Sequence, residues 1–172
     1  GKVLKNTATT NKDASKYIIR TTAEENLSAS DELFIELVQK AHEKGIRVLV
    51  DGVFNHCGAF HKWMDREGFY DGKGAYQDEK SPYRDYFYWE EEGSYEGWWG
   101  YANHPKLNIE NCKEVKNEIL DIGRRWVSAP FNADGWRLDV ANEISHTFCK
   151  ELRAALKAIK PDIYILGEIW HD

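Results

Sequence analysis

Three short apolar runs in this sequence each lead into a carboxylate. Ile46-Arg47-Val48-Leu49-Val50 runs into Asp51-Gly52-Val53-Phe54-Asn55-His56. The run from Ala133 to Val140 holds Arg137-Leu138-Asp139. Ile163-Tyr164-Ile165-Leu166 runs into Gly167-Glu168-Ile169-Trp170-His171. If the three runs are parallel strands, their C-terminal ends share one rim, and α/β proteins build their active sites on that rim. Asp51, Asp139, Glu168, Arg137 and His56 then converge without a loop to carry them. Each also has an ordinary role. A lone Asp after a strand, such as Asp51, is as often a turn or helix-capping residue. A lone His56 is more often structural than catalytic, and Glu168 can be a plain ion-pair partner. Arg137 is harder to dismiss. A guanidinium drawn into a sheet needs a carboxylate, and Asp139 lies on the same strand face two residues on. The joint placement at successive strand ends outweighs the separate explanations.

Two carboxylates near an aromatic platform suit glycosidic-bond chemistry. One attacks the anomeric carbon or activates water, and the other protonates the leaving oxygen and needs a raised pKa. Arg137 would keep Asp139 ionised and oriented. Glu168, close to that charge and beside Trp170, is expected to have its pKa raised by like charge and desolvation. These considerations make Asp139 the nucleophile and Glu168 the acid/base.

The elements that must position these residues alternate. Leu33, Phe34, Leu37, Val38 and Ala41 form a helical stripe from Ser30, stopped by Gly45. The first apolar run then reads as a short buried strand. Val115, Ile119, Ile122 and Trp126 have helical spacing, as do Phe148, Leu152, Ala155 and Ile159, ahead of Lys160-Pro161. Between Cys57 and Asn108 the alternation breaks into Gly-rich, aromatic-rich sequence, which is too long for a plain loop and reads as a functional excursion or small subdomain. Residues 1–29 are the least informative, with one β-like run at Tyr17-Ile18-Ile19. Helix, strand, excursion, helix, strand, helix, strand implies parallel strands with helical crossovers. A barrel and a doubly wound sheet both fit.

Composition narrows the class. The 172 residues carry 23 Lys+Arg against 29 Asp+Glu, a net charge of −6, which argues against a nucleic-acid surface. No apolar stretch is long enough for a membrane span. No signal peptide is visible, so a cytoplasmic location is expected over a secreted one, and the lack of a starting Met hints at a fragment or processed chain. Cys57, Cys112 and Cys149 are odd in number without metal-like spacing, and read as free thiols. Seven Trp and nine Tyr are many for this length and suggest a binding surface.

Four motifs carry a resemblance. Asp51-Gly52-Val53-Phe54-Asn55-His56, Gly135-Trp136-Arg137-Leu138-Asp139-Val140-Ala141-Asn142-Glu143 and Gly167-Glu168-Ile169-Trp170-His171-Asp172 resemble three conserved regions of the α-amylase family of glycoside hydrolases. His104-Pro105-Lys106-Leu107-Asn108 is similar to the motif that closes the protruding subdomain in its neopullulanase, cyclomaltodextrinase and maltogenic amylase subgroup, which usually has Met where His104 stands.

The resemblance implies an α/β fold: a partial (β/α)8 barrel, about strands 3 to 5, with a subdomain inserted after the first recognisable strand. Residues 1–29 would be a poorly matched segment and 30–56 a barrel helix and strand. Residues 57–108 would be the subdomain, and 109–172 would be helix-strand-helix-strand. It also implies retaining hydrolysis of α-glucosidic bonds in maltooligosaccharides, cyclodextrins, pullulan or starch. Asp139 would be nucleophile, Glu168 proton donor, and Arg137 the support of Asp139. His56 would contact the sugar, and Glu143, Trp170 and His171 the substrate. Asp51 and Asn55 would be structural neighbours, Asn55 also being where some members bind calcium; no cofactor is required. Trp98 and Trp99 either wall the cleft or form subdomain core. The family's fourth region, with its third acid, is absent here. The catalytic domain would be incomplete, because a whole barrel takes about 250 residues, and the full-length protein is a candidate homodimer. Two alternatives remain: a non-catalytic carbohydrate-binding or scaffold protein on this fold, and a metal hydrolase using Asp51, His56 and Glu168.

Overall fold

The computed structural model describes residues 23–70 and 72–170. Tyr17-Ile18-Ile19 and His171 lie outside the described residues. Helix α1 spans Glu24–Glu43, strand β1 Leu49–Gly52, helix α2 Lys113–Val127, strand β2 Gly135–Leu138, helix α3 His146–Ile159 and strand β3 Tyr164–Gly167. The three strands form one sheet in the order β1-β2-β3, and both pairings are parallel. The fold is therefore α/β, with helices joining parallel strands.

Local chemistry sets most of the boundaries. α1 begins earlier than its apolar stripe, at Glu24 and Glu25, whose charges suit the positive N-terminal end of a helix. It ends at Gly45, which takes φ +70°. There Ile46 N–H bonds to Ala41 O and Gly45 N–H to His42 O, the paired reversal that a left-handed glycine permits. Ile46 is used in that reversal, so the expected strand over 46–50 becomes Leu49–Gly52. In α3 the Ser145 hydroxyl caps the helix by accepting from Phe148 N–H at 3.1 Å.

One contiguous core joins sheet, helices and excursion. Trp136, Leu138, Val115, Ile119, Phe148, Leu152 and Leu156 pack with Phe54, Trp63, Met64, Tyr86 and Phe87. α2 and α3 approach closely at Gly123, where a Cβ would stand 2.9 Å from Leu152 Cδ1. They cover one sheet face. The other face carries Leu49, Asp51, Arg137, Tyr164 and Leu166. Leu49 is 37% exposed, so β1 is not the buried strand its apolar content suggested, and on β3 Tyr164 is 52% exposed and Leu166 45%. Only one of their faces is covered by the described residues.

Between β1 and α2 the described residues form no strand and no α-helix, only short 3-10 turns and isolated bridges. It is nevertheless packed. Trp63, Met64, Ala75, Tyr86 and Phe87 are buried. The buried Asp65 carboxylate accepts from Phe69 N–H at 2.6 Å and Tyr70 N–H at 3.1 Å. No described helix is long and apolar enough to cross a membrane.

Candidate active site

Parallel register decides which side chains meet. Asp51 is opposite Arg137, and Gly52 opposite Leu138, which in turn pairs with Gly167. The ladder continues one step past the strands: Asp139 N–H bonds to Gly52 O at 3.1 Å and Glu168 N–H to Leu138 O at 2.9 Å. Asp139 and Glu168 thus sit side by side at the strand ends. Asp51 does not share their level. It lies two residues lower in its ladder, level with Arg137.

Arg137 binds all three acids. Nη1 donates to Asp51 Oδ1 at 2.9 Å and to Asp139 Oδ1 at 2.8 Å, and Nη2 lies 2.7 Å from Glu168 Oε2. Its pKa is raised, first by the hydrogen bond to Asp51, then by that to Asp139, and it stays charged. It is half-buried rather than buried, because the face it occupies is open. The pairing with Glu168 was not visible in the sequence, and the expected rise of the Glu168 pKa is overturned. Glu168 is held below the usual carboxylate range, first by the Val140 N–H (3.2 Å), with further contributions from Arg137, Trp170 and Asp139 that outweigh desolvation.

Val140, next to Asp139, adopts φ 40°, ψ 50°. A β-branched residue in the left-handed region is a true outlier, and such strain gathers at functional sites. It turns the Val140 N–H onto Glu168 while Ala141 N–H bonds to Glu168 O at 2.8 Å. No composition or spacing signal announces this turn.

His56 is set by the return of the excursion. Leu107 N–H bonds to Asn55 O at 2.9 Å, Cys57 N–H bonds to Pro105 O at 3.0 Å, and His56 bridges Lys106. The Asn55 amide donates to His56 Nδ1 at 3.3 Å, so the neutral ring carries its proton on Nε2. Burial, then the neighbouring His104, lowers the His56 pKa, and the ring is neutral at pH 7. His104 stands edge-on to His56 and to Trp98. Its Nδ1 is shut off from water without a hydrogen-bond partner, an orphan that Met in the same place would not create.

Trp98 and Trp99 are not subdomain core. Trp98 is partly buried and Trp99 is 71% exposed. Both indole N–H groups donate to Glu143 Oε1, at 3.2 and 3.1 Å, tying the excursion to the turn after β2. Trp170 is 69% exposed beside Glu168. All three cysteines are free, and burial pushes the Cys57 thiol up to about 12. Among the described residues no group of three or more His, Cys, Asp or Glu could hold a metal ion, and the Asn55 amide is engaged by His56.

A family model, the α-amylase catalytic domain, matches residues 25–172. The chain belongs to the α-amylase family. It is 46% identical over 144 residues to a cyclomaltodextrinase of Geobacillus thermopakistaniensis, covering 79% of this chain and 23% of that protein. It is 42% identical over 148 residues to an intracellular maltogenic amylase of Bacillus subtilis, covering 82% of this chain and 23% of that protein. Among solved structures, the cyclic α-maltosyl-(1→6)-maltose hydrolase of Arthrobacter globiformis superposes with a TM-score of 0.72 at 32% identity, covering 82% of this chain and 31% of that one. This chain therefore corresponds to under a third of each of these proteins. Their barrel class accounts for the parallel β1-β2-β3 sheet and its open face.

Proposed function

We propose that this α-amylase-family chain carries the nucleophile and the acid/base of a retaining glycosidase. Its substrates would be the α-glucosidic bonds of maltooligosaccharides, cyclodextrins, pullulan or starch. The observation that supports this reading best is that one guanidinium, Arg137, contacts both Asp139 and Glu168 at adjacent strand ends. Such closeness favours a retaining pair, spaced about 5–5.5 Å, over the wider inverting arrangement. Asp139, ionised against Arg137, attacks the anomeric carbon, and the leaving oxygen takes the proton of Glu168. Water, deprotonated by Glu168, then releases the sugar from Asp139.

The depressed pKa of Glu168 adds a condition. A carboxylate hydrogen-bonded by Val140 N–H and paired with Arg137 cannot donate a proton. Glu168 must leave Arg137 and lose water as the sugar closes over it before it works as an acid. His56, neutral and buried, offers its Nε2–H to the sugar. Glu143, Trp99 and Trp170 border the cleft. No step passes through a metal ion. The open sheet face and the small share of each relative that is covered support an active unit that includes further barrel strands and the third acid.

The test is Asp139→Asn in the full-length protein carrying this segment. Hydrolysis of maltotriose or cyclodextrin should fall at least ~100-fold, as loss of a nucleophile does, with maltooligosaccharide binding retained. Unchanged turnover in the variant, or binding without turnover in the unaltered protein, would overturn the catalytic reading, the latter in favour of a carbohydrate-binding scaffold.

A further inference from the structure

The two neighbouring tryptophans differ in what surrounds them. Trp98 is stacked on His56, with ring centroids 5.1 Å apart and planes 11° apart, and on Trp99, at 4.9 Å and 21°. His104 stands edge-on to it at 5.9 Å. Three rings thus occupy Trp98, whereas Trp99 is mostly in water. Trp99 also takes φ 50°, a left-handed conformation that its hydrogen bond to Glu143 helps to hold. Trp98 therefore connects two groups from different elements: the His56 ring after β1, by stacking, and the Glu143 carboxylate after β2, by its indole N–H.

We propose that Trp98 is a positioning residue that aligns His56 and Glu143 for the sugar, and that Trp99 alone presents a free aromatic face on which a glucose ring stacks. This deepens the glycosidase reading and rests on it. It divides between two roles a pair that the sequence presented as equivalent. A pyranose ring lays its C–H face on an exposed indole, so losing Trp99 weakens substrate binding. Loss of either indole removes one bond to Glu143, but only loss of Trp98 also frees the His56 ring, so its effect falls on the alignment of bound substrate. The groups facing His56 are His104, Asp139 and Glu143, with the Asn55 amide on Nδ1.

Three variants in the full-length protein test this with maltotriose as substrate and the His56 NMR titration as an independent readout. Trp99→Ala should raise KM about tenfold and leave kcat within about twofold. Trp98→Leu should lower kcat about tenfold and move the His56 titration upward, because hydration of the ring relieves the burial that lowers it. Trp98→Phe, which keeps a stacking ring but has no indole N–H, should restore the His56 titration while kcat stays partly lowered through the lost bond to Glu143. A Trp98→Leu variant that only raises KM, or that leaves the His56 titration in place, would overturn the proposal. If Trp98→Leu does not fold, Trp98→Phe decides: kinetics identical to the unaltered protein, or a displaced His56 titration, would overturn it. Activity surviving Asp139→Asn would bring down the glycosidase reading instead, and the His56 titration would still judge the role of Trp98.

Discussion

The sheet rim and the excursion hold their functional side chains in different ways. On the rim, backbone hydrogen bonds between β1, β2 and β3 fix Asp51, Arg137, Asp139 and Glu168 in register. A slip of one residue would turn every one of them to the helix-covered face. Among the described residues of the excursion there is no ladder beyond isolated bridges, and the chain is placed by buried aromatics, the Asp65 carboxylate and ring stacking. The rim is thus rigid by pairing and intolerant of backbone change. The excursion is rigid by side-chain packing and can give locally.

Matched glycine substitutions break or sharpen this contrast. The largest effect is expected on the rim. A Cβ at Gly135 would stand 1.9 Å from Tyr164 O, so β2 and β3 would have to part. Gly135→Ala should cost about 3 kcal/mol of stability in chemical denaturation and remove activity with it. Arg137→Met comes next. Without the guanidinium, one of the influences that lower the Glu168 pKa is gone. That pKa then rises in the free enzyme, and the alkaline limb of the kcat/KM–pH profile should move to higher pH while kcat/KM falls about tenfold. A limb that stays in place would separate Arg137 from Glu168. The smallest effect is expected in the excursion. A Cβ at Gly97 would lie 2.3 Å from Tyr101 O, across a turn with no ladder to break. Gly97→Ala should cost about 1 kcal/mol and leave kcat nearly unchanged. Equal costs for the two glycine variants would erase the contrast.

The rim was legible in the sequence because its signals are local and periodic. Apolar runs ending in Asp139 and Glu168, and helical stripes between them, define the βα alternation without any tertiary information. Arg137 could be paired with Asp139 from strand periodicity alone. Its reach to Glu168 on the next strand could not, since that depends on register between β2 and β3. The Glu168 pKa was expected to rise and instead falls, first because the Val140 N–H bonds its carboxylate and then because Arg137 pairs with it. The Val140 turn, which aims its N–H at Glu168, has no composition signature because a β-branched residue rarely adopts that conformation. In the excursion the aromatic content marked a special region. The division between buried Trp63 and exposed Trp99 arises only from packing.

The most direct test of the central claim is chemical trapping of the nucleophile. The full-length protein is treated with a fluorinated α-glucosyl substrate that forms the glycosyl-enzyme but releases it slowly, then digested and analysed by mass spectrometry. The account predicts one sugar attached to the peptide containing Asp139, and none in Asp139→Asn. A sugar attached elsewhere, or turnover with inversion at the anomeric carbon, would contradict it.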